Sequence, residues 1–84
     1  MSLTREQVLK RTTQVLSKHT KGDVELTERT EIAADLGIDS LGVMEALAEV
    51  EDAFELAFDD QQLQGIATLG DLVDLIAREL ADRG

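Results

Sequence analysis

Asp39-Ser40-Leu41 places a carboxylate, a hydroxyl and an apolar side chain in succession where a helix is expected to begin. An Asp at such a point accepts hydrogen bonds from the first turn as an N-cap, and a Ser beside it then needs no role beyond the first helical position. The same arrangement also has a chemical use. A helix N-terminus carries unpaired N–H groups and the positive end of the helix dipole, so it tolerates an attached phosphate. A hydroxyl presented there by the end of a loop is open to a modifying enzyme. Three residues do not choose between cap and modification site.

Other residues that could do chemistry are few. His19, between Lys18 and Thr20, is the one histidine of the sequence. It is expected to face solvent near the end of the first helix, where the dipole favours it. The sequence has no cysteine, which excludes a thiol nucleophile, a disulfide framework and a thiolate zinc site. Carboxylates are abundant, but a general acid/base pair needs two of them in divergent environments. Asp35-Leu36-Gly37-Ile38-Asp39 offers two carboxylates separated by apolar residues, not the oxygen spacing of a calcium loop. No catalytic residue and no metal ligand are assigned.

The elements that must position Asp39 and Ser40 read as helices. Thr4-Arg5-Glu6-Gln7 has the form of a capping box, followed by Val8, Leu9, Thr12, Val15 and Leu16 at helical spacing. This helix is expected to fade by Lys18 or His19, with Gly22 as a stop. Residues 20–38 form a long connection with isolated apolar residues, Val24, Leu26, Ile32, Leu36 and Ile38, a length that in a small domain is often functional. A second helix starts at Asp39 or Ser40, with Val43, Leu47, Val50 and Phe54 on one face and Glu45, Glu49, Glu51, Asp52 and Glu55 on others. Asp59-Asp60-Gln61-Gln62-Leu63 reads as a short capped helix ended by Gly65, and Thr68 with Asp71 caps a last helix whose stripe is Leu69, Leu72, Val73, Ile76 and Leu80. No segment alternates with period two for long enough to form a strand. The expected fold is all-α, a four-helix bundle of three longer helices and one short helix, with a long loop between helices 1 and 2. Residues 1–84 are read as one domain.

Composition sets the outer limits. A hydrophobic fraction of 43% in 84 residues supports one compact core. The net charge of −10 argues against nucleic acid, where Lys and Arg must neutralise phosphates. That charge is partitioned. Residues 1–29 hold six basic and four acidic side chains, residues 30–77 hold twelve acids and no Lys or Arg, and the last seven residues are neutral. An uninterrupted stretch of one sign is ordinarily a solvated face, and it also steers a cationic partner surface. No apolar run is long enough to span a membrane. The start, Met1-Ser2-Leu3-Thr4-Arg5, does not have the form of a signal peptide, so a cytoplasmic protein is expected.

Asp35-Leu36-Gly37-Ile38-Asp39-Ser40-Leu41, followed by Glu45, Phe54, Ile66, Thr68, Asp71 and Leu72, resembles the acyl carrier protein pattern, gap-free from about Ile32 to Ile76. The resemblance implies that Ser40 receives 4′-phosphopantetheine from coenzyme A, with Asp39 as motif residue and helix cap. It implies a carrier rather than an enzyme, monomeric, modified by a phosphopantetheinyl transferase. The carrier would then deliver acyl thioesters to enzymes with basic docking surfaces in fatty-acid or polyketide biosynthesis. The arm brings its own thiol, which agrees with a chain that lacks cysteine. Leu41, Met44, Glu45, Glu49 and Asp52 are the implied partner-recognition residues. Asp rather than Gly-Gly-x before the Ser favours an acyl over a peptidyl carrier. Gly42 stands where a polar residue is more usual, Val43-Met44 is bulky, and Glu55-Leu56-Ala57-Phe58-Asp59 lacks the usual Gly and Pro, departures that lean towards a discrete carrier of a specialised pathway. The alternatives are an amino-acid or D-alanyl carrier with the same arm, and an acidic interaction module without a prosthetic group.

Overall fold

The computed structural model describes residues 3–20 and 24–83, with side chains described as far as residue 82. Five helices follow in order: α1 Arg5–Ser17, α2 Ile32–Asp35, α3 Ser40–Phe54, α4 Asp60–Gln64 and α5 Leu69–Arg83. The architecture is all-helical with three long helices, and no strand occurs among the described residues beyond one isolated bridge between Glu31 and Thr68. The three long helices and α4 begin where their caps predict. Thr4 Oγ1 accepts from the Gln7 N–H at 3.1 Å while the Thr4 N–H donates to Gln7 Oε1 at 2.8 Å. The Asp59–Gln62 pair repeats this at 2.8 and 3.0 Å at the head of α4. Each box satisfies donors that the helix itself leaves orphaned. Gly22, the expected stop after α1, lies outside the described residues.

Helix α2 departs from the expected plain loop. It is a single turn, and its N-cap Glu31 makes no side-chain cap bond. Asp35 Oδ2 instead accepts from the Glu31 N–H at 2.9 Å. What holds the turn is tertiary. Ile32 and Leu36, four residues apart and so on one helical face, are both buried in the core. The Ile32 N–H donates to Ala67 O at 3.1 Å, and the Thr30 and Glu28 carbonyls accept from the Leu69 and Gly70 N–H groups at 2.8 and 2.9 Å. The long connection is thereby bonded to the start of α5.

The core is built from Val8, Val15 and Leu16 of α1, Ala46, Val50 and Phe54 of α3, and Leu69, Leu72, Val73 and Ile76 of α5, closed by Ile32 and Leu36. Val43 and Leu47, on the expected apolar stripe of α3, are only partly buried. Arg11 of α1 lies over the Phe54 ring, 5.9 Å from its centroid. At the end of α3, Glu55 adopts the left-handed conformation (φ 54°, ψ 46°) that glycine usually supplies, so the turn forms without the glycine usual after Phe54. The segment beyond is held by Leu56 and Phe58 against the core and by the Phe58 N–H on Glu51 Oε2 at 2.7 Å.

One core residue is mismatched to its surroundings. Thr12 is fully buried and its Oγ1 has no hydrogen-bond partner. A buried hydroxyl without a partner loses its hydration with no return, whereas an apolar group of the same shape does not. Thr12→Val is expected to raise stability by about 1 kcal/mol, a Tm increase of about 4–8 °C for a domain of this size, read by thermal melts followed by circular dichroism. A lowered Tm would mean that the hydroxyl holds a buried water.

The start of α5 adds a pH dependence. Asp71 Oδ2 accepts from the Ala67 and Thr68 N–H groups at 3.1 and 3.2 Å, and the Asp71 N–H donates to Thr68 Oγ1 at 3.2 Å. The Ala67 bond first and the Thr68 bond second hold the Asp71 carboxyl below its usual 3.8. A group depressed by folding stabilises above its unfolded pKa and loses that contribution as pH falls through the folded one. Asp71→Asn is therefore expected to lower the Tm at neutral pH, and the gap to the wild type should close as pH falls below about 3.8. A gap that stayed constant across that window would show that the cap does not depend on ionisation.

Candidate functional site

The segment leading to Ser40 is anchored before it is exposed. Leu36 is fully buried, Gly37 turns the chain at φ 70°, and Ile38 packs half-buried against the core. A positive φ is readily adopted only without a Cβ, so Gly37 makes the sharp exit that brings the next residues to the surface. Asp39 then caps α3 in extended conformation, its Oδ1 accepting from the Gly42 N–H at 2.8 Å, and its carbonyl accepts from the Val43 N–H at 2.9 Å. Ser40 is thus the first residue of α3, exposed at the positive end of that helix.

The remaining hydroxyls single it out. Ser17, Thr13 and Thr20 donate to backbone carbonyls. Thr4, Thr27, Thr30 and Thr68 accept from backbone N–H groups. Thr12 is buried. Among the described residues, Ser40 alone has an exposed hydroxyl with no hydrogen bond.

One cleft adjoins it, and a second lies beside the first. The first, about 470 Å³, is lined by Ala33, Ile38, Asp39, Ser40, Val43 and Met44. The second, about 340 Å³, lies between α2, α3 and α4 with an apolar wall that includes Ile32, Leu47, Leu63 and Ile66, and it shares Ala33 and Val43 with the first. Val43 belongs to the apolar stripe expected on this helix, whereas Ala33 is not among the residues singled out from the sequence. The available signal was the small pair Ala33-Ala34, which leaves room beside the one-turn helix.

Gly42, which stands where a polar residue is more usual, has no open space for a side chain. The space above it is filled from within: a Cβ there would stand 3.1 Å from Ile38 Cβ and 3.3 Å from Asp39 Oδ1. The missing side chain accommodates the chain's own loop.

Of the five residues expected to meet partners, Leu41 and Met44 are 64% and 68% exposed, and Glu45 and Asp52 are exposed on the same side of α3. Glu49 differs. It is half-buried, its Oε2 accepting from His19 Nε2 at 2.9 Å. His19 is correspondingly not the solvent-facing residue expected from its position, because α3 packs alongside α1 and brings Glu49 to it. No helix among the described residues is long and apolar enough to cross a membrane.

An exposed, unengaged hydroxyl at a helix N-terminus beside an open apolar cleft fits a phosphodiester-linked arm. Comparison with known proteins points the same way. Residues 7–76 match the family model of the phosphopantetheine attachment site. The acyl carrier protein of an Exiguobacterium species is 35% identical over 79 residues, 93% of this chain and 100% of the relative. That of Thermotoga maritima is 31% identical over 77 residues, 90% and 95% of the two chains. The solved structure of the acyl carrier protein from Enterococcus faecalis superposes with a TM-score of 0.73 at 37% identity, covering 90% of this chain and 98% of that one. This chain belongs to the acyl carrier proteins, carriers rather than catalysts, whose covalent cofactor is 4′-phosphopantetheine.

Proposed function

We propose that Ser40 carries the phosphopantetheine arm and that the chain delivers acyl groups to partner enzymes of fatty-acid or polyketide biosynthesis. The observation that carries this reading is the Ser40 hydroxyl, exposed and without a hydrogen bond at the head of α3. Once attached, the arm supplies a terminal thiol on which acyl groups ride as thioesters. Around it, each residue has a defined task. Asp39 holds the first turn through the Gly42 N–H, leaving the Ser40 and Leu41 N–H groups at the helix head for a phosphate. The apolar lining of the clefts at Ala33, Val43 and Leu47 favours an aliphatic acyl chain over an amino acid.

The outer face of α3 is the docking surface in this reading. Leu41 and Met44 give apolar contact beside Ser40, and Glu45 and Asp52 give charge. Complementary charge speeds encounter more than it deepens affinity, which suits a carrier that must leave each partner. The test is to incubate the chain with a broadly active phosphopantetheinyl transferase and coenzyme A and record the intact mass. A gain of one phosphopantetheinyl group, mapped by peptide fragmentation to Ser40, is expected. An unchanged mass would favour an acidic interaction module instead.

A further inference from the structure

Glu45, Glu49 and Asp52 stand at i, i+4 and i+7 on α3, one continuous stripe of carboxylates by sequence. The structure treats them unequally. Glu45 and Asp52 are exposed, and neither makes a hydrogen bond or ion pair among the described residues. Glu49, the middle member, is bonded to His19, with side-chain exposures of 23% for the histidine and 43% for the glutamate. The base of the histidine is itself fixed. Its backbone N–H donates to Leu16 O at 2.9 Å just past the α1 cap, so the ring reaches across to α3 from the end of α1. A carboxylate can only accept, so Nε2 is the donor, and the bond keeps Glu49 against α1.

We propose that His19 sets how many carboxylates a cationic partner surface meets on α3, by holding back the middle one of the three. This rests on the reading of α3 as the docking helix. Each exposed acid adds to the attraction at low ionic strength, and salt removes that addition. His19 is in these terms a positioning residue: it acts on partner choice through Glu49, and its release completes the stripe.

The experiment titrates a fluorescent pentalysine peptide into the full chain at low and at high salt. In parallel, KM and kcat are measured for modification by a phosphopantetheinyl transferase. At low salt, His19→Ala is expected to bind the peptide about two- to fivefold more tightly than wild type, with the difference vanishing at high salt. For the transferase, KM should fall while kcat stays unchanged. His19→Gln, whose amide can still donate to Glu49, should behave as wild type. His19→Ala combined with Glu49→Gln should lose the gain. In the wild-type background, which keeps the α1 end intact, Glu49→Gln should weaken peptide binding less than Glu45→Gln does. Unchanged peptide affinity in His19→Ala at low salt, a gain that survives Glu49→Gln, or equal losses from Glu45→Gln and Glu49→Gln would each overturn the proposal. A wild-type chain that took no arm from coenzyme A would remove the reading of Ser40, and the peptide titration would still decide the role of His19.

Discussion

Ser40→Ala is expected to abolish the mass gain from coenzyme A completely while leaving the fold intact. The two halves of this expectation have separate physical grounds. The loss is total because, among the described residues, every other Ser or Thr hydroxyl is bonded to the backbone or buried. Among the described residues, Thr4 and Thr68 also stand at helix heads, but each hydroxyl already accepts from a backbone N–H. The fold survives because Ser40 contributes nothing to the core and its side chain makes no hydrogen bond. Ala is also at least as good a helix former as Ser. Asp39 keeps its bond to the Gly42 N–H, so the cap that starts α3 is untouched. The Tm should therefore move by no more than an ordinary surface substitution allows, within about 0.5 kcal/mol. Intact mass after incubation and a thermal melt on the same sample check both. A variant that still gained mass would place the arm elsewhere and overturn the assignment.

Leu36→Ala should give the largest loss of stability at any position near the site. Leu36 is fully buried within the same cluster as Leu16, Leu72 and Ile76. Truncating a buried Leu removes its transfer free energy and leaves a cavity, together about 2–5 kcal/mol. A small domain has about 5–15 kcal/mol in total, so this is a large share. At about 4–8 °C for each kcal/mol, the melt should fall by roughly 8 °C or more. The effect reaches the site because Leu36 is the last core contact before the Gly37 turn. Losing it frees the segment that delivers Asp39 and Ser40 to the surface, so modification should slow as well. Urea unfolding and initial modification rates measure the two consequences. A loss below about 1 kcal/mol, typical of an exposed position, would show that the connection packs loosely on the bundle.

Helices α1, α3, α4 and α5 are legible in the sequence because their signals act within one turn. Thr4 with Gln7, Asp59 with Gln62 and Thr68 with Asp71 each satisfy backbone donors from three residues away, and apolar residues three and four apart define the buried faces. Helix α2 carried no such signal, since Ile32-Ala33-Ala34-Asp35 is one turn without a side-chain N-cap. It forms because Ile32 and Leu36 are buried and the Ile32 N–H is bonded to Ala67 O, partners more than thirty residues away in the chain. The bond between His19 and Glu49 is of the same kind.

Local chemistry in the sequence thus determined the long helices, the division of charge between the first third and the rest, and the place of Ser40 at the head of an acidic helix. Only the tertiary structure decided which groups are free to act. It left the Ser40 hydroxyl without a partner, put Leu41, Met44, Glu45 and Asp52 on an open face, and tied Glu49 to His19. Exposure and hydrogen-bond partnership are set by surfaces that meet only when helices pack, and no spacing along the chain records which surfaces those are.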